Sequence, residues 1–174
     1  EINSLDIFKD VKHMDFETAV KEGKIVYIPD EVTDAFLDAV YSQSVMKDID
    51  GGLKVVYTPL NGTGRKCVTR ILGRIGIKDI AIVPEQEFPD GNFPTCPFPN
   101  PEIREALQKG LELCEKVEPD LLLATDPDAD RCGIAVRQGG EYVLMSGNEV
   151  GVLLMDFIAR KRLQNGTMPK NPVA

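Results

Sequence analysis

The chain has 174 residues, of which 43% are hydrophobic, and this is enough apolar material for one well-packed domain. Its 28 acidic residues outnumber its 20 basic residues, for a net charge of −8, which argues against partners such as nucleic acid or an anionic membrane surface. We expect a cytoplasmic protein, because no stretch approaches the roughly 18 apolar residues of a membrane span and because the four cysteines are expected to be ordinary reduced thiols. None of them forms a Cys-x-x-Cys pair, which argues against a zinc site.

The first 45 residues are weakly patterned and are predicted to form an N-terminal arm or interdomain segment. Asp15 is predicted to cap a short helix over residues 16–22, and the apolar run at residues 25–28 is predicted as a strand. Thr33 is predicted to cap a second helix that ends near Ser44.

From residue 54 onward the pattern alternates between short apolar strands and amphipathic helices. The predicted strands cover residues 54–57, 80–83 and 121–124, and the predicted helices cover residues 65–75 and 102–116. A hairpin around Gly139-Gly140 and a final helix over residues 148–163 follow. This order predicts an α/β fold with three layers, namely a doubly wound, mainly parallel sheet with an antiparallel hairpin at its edge.

One long irregular segment, residues 84–101, interrupts this alternation and contains six prolines. Loops of this length in a compact domain usually have a function or act as a rigid cover. We therefore expect this proline-rich segment either to line a cleft or to cover the edge of the sheet.

The sequence Thr-Asp-Pro-Asp-Ala-Asp-Arg at residues 125–131 directly follows an apolar strand. Carboxylates at Asp126, Asp128 and Asp130 would repel one another, which raises their pKa values unless a positive charge lies between them. A hard divalent cation such as Mg²⁺ or Ca²⁺ supplies that charge. Open α/β sheets also bind their ligands beyond the carboxyl ends of the strands. A solvated acidic turn is the simpler alternative.

Two other kinds of acidic loop fit less well. An EF-hand loop that starts at Asp126 would need Gly at its sixth position and Glu at its twelfth, where this chain has Arg131 and Arg137. A haloacid dehalogenase-type loop would use Asp126 as nucleophile and Asp128 as acid/base, but Asp130 stands where such loops usually have Thr or Val. A phosphatase or phosphotransferase of that kind stays open as an alternative.

The acidic loop as a whole resembles the metal loop of the phosphohexomutases, which reads Asp-Gly-Asp-Gly-Asp-Arg or a close variant. Here Pro127 and Ala129 replace the glycines. Residues 58–64, Thr-Pro-Leu-Asn-Gly-Thr-Gly, are similar to the strand-to-helix turn of that family, although a plain tight turn would look the same. Residues 89–94 and 100–102 are similar to its proline-rich cleft loop. The chain thus resembles the phosphoglucomutase/phosphomannomutase family, in its metal-binding second domain.

This resemblance implies a domain organisation and a set of roles. Residues 46–146 would be the metal-binding domain, and residues 147–174 the truncated start of the following domain. Asp126, Asp128 and Asp130 would each give one oxygen to Mg²⁺, and Arg131 would bind a phosphate of the substrate. The remaining domains of the parent chain and a sugar phosphate would be the partners, and a glucose 1,6-bisphosphate-type compound would be the activator.

The family's catalytic phosphoserine lies in a Ser-His-Asn-Pro motif, which this sequence lacks. We therefore expect no catalytic residue within residues 1–174 and no mutase activity from this chain alone. In the full-length enzyme, the phosphoserine would transfer its phosphoryl group to a hexose phosphate and so interconvert hexose 1-phosphate and hexose 6-phosphate. A non-catalytic module that binds sugar phosphate or metal is the second alternative.

Overall fold

The computed structural model describes residues 4–46 and 52–173. The chain divides into two compact units, Glu1–Ala35 and Phe36–Ala174. The predicted sheet and the acidic loop both belong to the second unit.

The first unit contains helix α1, Phe16–Lys21, and the start of helix α2, Asp30–Ser42. The predicted cap of α1 is confirmed, because Asp15 accepts a hydrogen bond of 2.9 Å from the backbone N–H of Thr18. The predicted strand at residues 25–28 is wrong, since these residues are irregular and exposed. The amide of Ile25 donates to Ala19 at the end of α1 and is therefore used in the helix terminus.

Helix α2 begins at Asp30, three residues before the predicted cap at Thr33. The amide of Val32 already donates to the carbonyl oxygen of Pro29. The carboxylates of Asp30 and Glu31 lie in the first turn, where the helix dipole favours negative charge. The pattern of charge near Pro29 thus indicates this helix start better than the Thr33 hydroxyl does.

The second unit is built on a five-stranded sheet in the order β2-β1-β3-β4-β5. Strand β1 pairs in parallel with β2 and β3, whereas β4 pairs antiparallel with both β3 and β5. These pairings confirm the predicted α/β fold with a parallel centre and an antiparallel hairpin. The strands are β1 Lys54–Thr58, β2 Asp79–Ile82, β3 Leu121–Thr125, β4 Cys132–Gln138 and β5 Glu141–Met145.

Two helices connect the parallel strands: α3, Arg65–Arg74, joins β1 to β2, and α4, Gln108–Val117, leads into β3. Strands β2 and β3 lie on opposite sides of β1, and crossover connections are almost always right-handed. The two helices are therefore placed on opposite faces of the sheet, which gives the three layers.

The main hydrophobic core lies between α4 and the centre of the sheet. Gly110 allows α4 to approach closely, since a Cβ there would lie 2.8 Å from Cδ1 of Leu122. Burial of this cluster supplies the main driving force for folding of the second unit. Its buried members are Val56, Val83, Leu107, Leu111, Cys114, Leu122, Ala124, Ala135 and Tyr142.

Helix α4 begins at Gln108, six residues after the predicted start at residue 102. The side chain of Asn100 accepts the amide of Glu102 at 3.0 Å, and the amide of Leu107 donates to Arg104 three residues earlier. Such local bonds compete with helix formation, so residues 101–107 form successive turns.

The last helix, α5, covers Gly147–Gln164 and begins with a capping box between Ser146 and Glu149. It contains no buried residue. Within residues 4–46 and 52–173, no helix has both the length and the apolar character that a bilayer crossing requires.

Candidate metal and phosphate site

The acidic loop connects the carboxyl end of β3 to β4 in a tight turn. The amide of Ala129 donates to the carbonyl oxygen of Asp126 at 3.0 Å. The amide of Asp126 in turn donates to the carbonyl oxygen of Arg131 at 3.4 Å. Ala129 has φ of 62°, in the left-handed region that favours glycine. This explains why the motif that the loop resembles has Gly at this position.

The structure brings the three predicted carboxylates together. One oxygen each from Asp126, Asp128 and Asp130 can be chosen so that all three lie within 4.8 Å of one another. Asp126 is only 1% exposed, whereas the other two are exposed. Among the residues that the structure describes, this is the one group of acidic, histidine or cysteine side chains with such geometry.

The three carboxylates do not share one electrostatic environment. Burial alone raises the pKa of Asp126, but hydrogen bonds from Arg131 outweigh burial and lower that pKa below its ordinary value. Repulsion from Asp128, followed by the hydrogen bond to Asp126, raises the pKa of Asp130. The loop therefore holds more negative charge than Arg131 compensates, and this excess charge favours a bound cation.

Arg131 is tied to the buried end of the same loop. Its backbone N–H donates to Oδ1 of Asp126 at 2.9 Å, and its Nε donates to Oδ2 at 2.8 Å. About half of the Arg131 side chain, 51%, remains exposed. The guanidinium is thus held in a fixed orientation at the surface, next to the carboxylates.

A cavity of about 410 Å³ separates the acidic loop from the proline-rich segment. Arg131 lines it on one side, and Phe98, which is 78% exposed, lines it on the other. The proline-rich segment therefore forms one wall of a cleft at the carboxyl end of β3. The remaining lining residues are Pro99, Asn100, Asp126, Pro127 and Asp128.

A buried polar network holds that wall in place. Gln86, in the short 3₁₀ turn Pro84–Gln86, is fully buried. Its side chain accepts from the Thr58 hydroxyl at 2.7 Å and donates to the Thr95 hydroxyl at 3.0 Å. Sequence reasoning missed these residues, because isolated Thr and Gln residues far apart in the chain form no motif.

The turn between β1 and α3 lies directly beside the acidic loop. A Cβ on Gly64 would lie 2.6 Å from the hydroxyl of Tyr57 and 2.7 Å from that of Thr125. The two hydroxyls share a hydrogen bond of 2.9 Å, and burial raises the pKa of Tyr57 to about 12. The N-terminus of α3 is therefore packed against the end of β3.

Carboxylate oxygens are ligands that hard divalent cations such as Mg²⁺ and Ca²⁺ accept. The close approach of the three aspartates and the raised pKa of Asp130 both fit a hard cation. The described residues therefore suit a hard divalent cation such as Mg²⁺, with Asp126, Asp128 and Asp130 as the candidate ligands.

Comparison with known proteins identifies the family of this chain. Residues 34–140 match the family model described as phosphoglucomutase/phosphomannomutase, alpha/beta/alpha domain II. The chain belongs to the phosphoglucomutase/phosphomannomutase family. A phosphoglucomutase of Staphylococcus saprophyticus is 38% identical over 173 residues, which are 98% of this chain and 30% of that protein. A phosphoribomutase of Saccharomyces cerevisiae is 42% identical over 155 residues, which are 82% of this chain and 25% of that protein.

Solved structures of this family share the fold of the domain. A phosphoglucomutase/phosphomannomutase family protein of Burkholderia thailandensis has a TM-score of 0.59 and 23% identity, over 77% of this chain and 26% of that one. A putative phosphomannomutase of Thermus thermophilus has a TM-score of 0.58 and 23% identity, over 75% of this chain and 29% of that one. The chain spans only 25% to 30% of the length of the two curated relatives described above.

Proposed function

We propose that this chain is the Mg²⁺-binding domain of a sugar-phosphate mutase, an isomerase that interconverts hexose 1-phosphate and hexose 6-phosphate. The observation that carries the proposal is the convergence of three carboxylates at the carboxyl end of β3, in a domain of this family. Curated relatives are named phosphoglucomutase, phosphoribomutase and probable phosphomannomutase. The proposed substrate is therefore a small sugar phosphate.

The proposed domain organisation has an arm over residues 1–45, the metal-binding domain over residues 46–146, and the beginning of another domain over residues 147–174. The many exposed apolar residues of α5 support the last assignment, because such a helix needs a partner surface. The remaining domains of a longer parent chain would provide that surface.

In the proposed site, Asp126, Asp128 and Asp130 would each hold Mg²⁺ through one carboxylate oxygen, and a phosphoserine outside residues 1–174 would supply a fourth ligand. When bound, the cation neutralises charge on the phosphoryl group that is being transferred.

Arg131 has two tasks in this proposal. Its N–H and Nε donors orient the buried Asp126 carboxylate and lower the pKa of that carboxylate despite its burial. Its exposed guanidinium lines the cavity and presents a planar donor group to a phosphate of the sugar. Replacement by Lys would keep the charge but lose the planar geometry, so Arg131→Lys should raise the KM of the parent enzyme.

The direct test is an assay of the full-length parent with glucose 1-phosphate, mannose 1-phosphate and ribose 1-phosphate. Each reaction contains Mg²⁺ and a bisphosphate activator of the glucose 1,6-bisphosphate type. We expect turnover of at least one substrate by the parent and none by residues 1–174 alone. Failure of the parent with all three would favour a non-catalytic binding module, and turnover by residues 1–174 would contradict a phosphoserine located elsewhere.

A phosphotransferase that uses Asp126 as nucleophile predicts a different result. Such an enzyme would form an aspartyl phosphate that beryllofluoride mimics. The structure disfavours this alternative, because both oxygens of Asp126 accept hydrogen bonds from Arg131 and the residue is almost fully buried. Formation of a stable beryllofluoride adduct on Asp126 would reverse this preference.

Metal binding can be tested on the chain itself by titration with Mn²⁺. We expect Asp128→Asn to weaken Mn²⁺ binding by about tenfold or more, since even residues that only support metal ligands have effects of that size. Asp79→Asn, on the exposed start of β2, is the control for loss of one negative charge. Equal affinities in wild type and Asp128→Asn would contradict the proposed site.

A further inference from the structure

The turn between β1 and α3 contacts both loops that form the cavity. We call residues 60–64 the β1–α3 turn. Its first half is bonded to the proline-rich segment, and its second half is bonded to the acidic loop. It is thus a direct connection between the two walls.

Asn61 makes the contacts with the proline-rich segment. Its amide donates to Gln86 and its carbonyl accepts from Asp90, both at 3.0 Å. Its side-chain Nδ2 donates to the carbonyls of Glu85 at 3.2 Å and Phe88 at 3.0 Å. A single residue therefore supplies four hydrogen bonds to residues 85–90.

Gly62 and Thr63 make the contacts with the acidic loop. Both the backbone N–H and the hydroxyl of Thr63 donate to the carbonyl oxygen of Pro127, at 2.8 Å and 3.0 Å. A Cβ on Gly62 would lie 2.3 Å from Cα of Pro127, so only glycine allows this approach. Pro127 separates Asp126 from Asp128, and the turn thus holds the peptide that joins these two carboxylates.

The conformation of the turn is unfavourable at Leu60. Leu60 and Asn61 have φ values of 49° and 58°, in the left-handed region, which Asn adopts readily but which is strained for Leu. Oδ1 of Asn61 is buried and has no hydrogen-bond partner among the described residues. Strain and an unpaired acceptor in one turn beside a site are typical of residues that position functional groups.

We propose that the β1–α3 turn positions the carboxylates of the acidic loop for the cation, with Thr63 as the principal positioning residue. Through its two hydrogen bonds to the Pro127 carbonyl, Thr63 sets the spacing of Asp126 and Asp128. Asn61 holds the same turn, and therefore the acidic loop, at a fixed distance from the proline-rich wall. This inference rests on the proposed function, because it assumes that the loop binds a cation.

The test compares two identical substitutions by Mn²⁺ titration of the 174-residue chain. Thr63→Val removes the hydroxyl that clamps Pro127. Thr69→Val is the matched control, because the Thr69 hydroxyl also donates to a backbone carbonyl, that of Arg65 at 2.8 Å, but within α3. We expect Thr63→Val to weaken Mn²⁺ binding about tenfold and Thr69→Val to leave it unchanged. Thr63→Ser, which keeps the hydroxyl, should restore most of the affinity.

Urea unfolding of the same samples separates positioning from simple stabilisation. Each valine variant loses one hydroxyl-to-carbonyl hydrogen bond, so both should lower the urea midpoint by a similar amount. Only Thr63→Val should change metal affinity. If Thr63→Val does not fold, Asn61→Gly decides the question, because glycine tolerates the left-handed conformation while the Nδ2 bonds are lost.

The outcomes distinguish this inference from the proposed function. If Asp128→Asn weakens Mn²⁺ binding but the Thr63 and Asn61 variants bind as tightly as wild type, the positioning role is wrong and the metal site stands. Equal loss of affinity in Thr63→Val and Thr69→Val would also refute positioning, since the effect would follow stability. Unchanged binding by Asp128→Asn would refute both.

Discussion

Strand β3 and helix α5 are both rich in apolar residues, but their surroundings differ completely. In β3, Leu122 and Ala124 are fully buried, whereas in α5 the side chains of Leu153, Leu154 and Met155 are more than half exposed. The strand has neighbours on both sides, β1 and β4, and α4 packs on one of its faces. An apolar composition therefore indicates that a segment needs burial. The position of the segment in the fold decides whether other parts of the same chain bury it.

Helix α5 is stabilised mainly by local interactions. Ser146 and Glu149 form a capping box, and Arg160 pairs with Asp156 four residues earlier at 2.5 Å. Directly after the helix, Nδ2 of Asn165 donates to the carbonyl oxygen of Val45, a distant residue, at 2.9 Å. The helix can thus form without a large buried face, which is the contrast with β3.

Truncation of one leucine in each region gives the largest expected difference. Leu122→Ala leaves a cavity between β3 and α4 and should lower the free energy of unfolding by about 3 kcal/mol. Leu154→Ala, on the exposed side of α5, should change it by less than about 0.5 kcal/mol. Urea unfolding followed by circular dichroism measures both. Similar losses of unfolding free energy in the two variants would show that α5 is buried in solution and would contradict the contrast between β3 and α5.

Alanine in place of glycine should act in opposite directions in the two regions. A Cβ on Gly133, in β4, would lie 2.2 Å from the carbonyl oxygen of Pro101, so Gly133→Ala should destabilise the protein by about 2 kcal/mol. Among the described residues, no atom outside the backbone of α5 lies within 4 Å of a Cβ placed on Gly151, so Gly151→Ala should stabilise that helix by up to about 1 kcal/mol.

Thermal unfolding of the two alanine variants provides the measurement. Gly151→Ala can also be followed by amide hydrogen exchange of α5, because its effect is local to the helix. Destabilisation by both variants would mean that α5 is closely packed, contrary to its exposure in this structure.

The smallest expected effect on stability concerns the buried hydroxyl of Tyr57 and depends on pH. Burial raises the pKa of Tyr57 from about 10 to about 12, so the folded protein favours the neutral phenol. The resulting stability is complete below pH 10 and is lost as the pH rises towards 12. At neutral pH, Tyr57→Phe should cost about 1 kcal/mol through loss of the bond to Thr125.

Between pH 10 and 12, the higher free energy of unfolding of wild type relative to Tyr57→Phe should disappear. The difference between the two proteins is the useful quantity, because burial also raises the pKa of Cys114 to about 12 in both. Urea midpoints at pH 7, 10 and 11.5 provide the comparison. A difference that does not depend on pH would contradict a buried, neutral Tyr57.

Much of the fold could be predicted because its signals are local. Gly139 and Gly140, with φ of 61° and 91°, form the predicted hairpin turn, and α3 begins at Arg65 as its preceding glycines indicate. The acidic loop could be located for the same reason, since its residues are consecutive and follow an apolar strand. The start of α4 and the irregular residues 25–28 were predicted wrongly. The side chain of Asn100 accepts the amide of Glu102, and the amide of Ile25 donates to Ala19, and these single hydrogen bonds outweigh the hydrophobic pattern.

By itself, the sequence determined the order of the strands and helices from residue 54 onward, the place of the acidic loop and the resemblance to a family, all of which depend on neighbouring residues. Only the tertiary structure decided which residues support the loop. The clamp of Thr63 on Pro127 joins residues 64 positions apart, and the Thr58–Gln86 bond joins residues 28 apart. Such contacts depend on the relative positions of β1, β3 and the proline-rich segment at one end of the sheet. A local sequence pattern does not predict those positions.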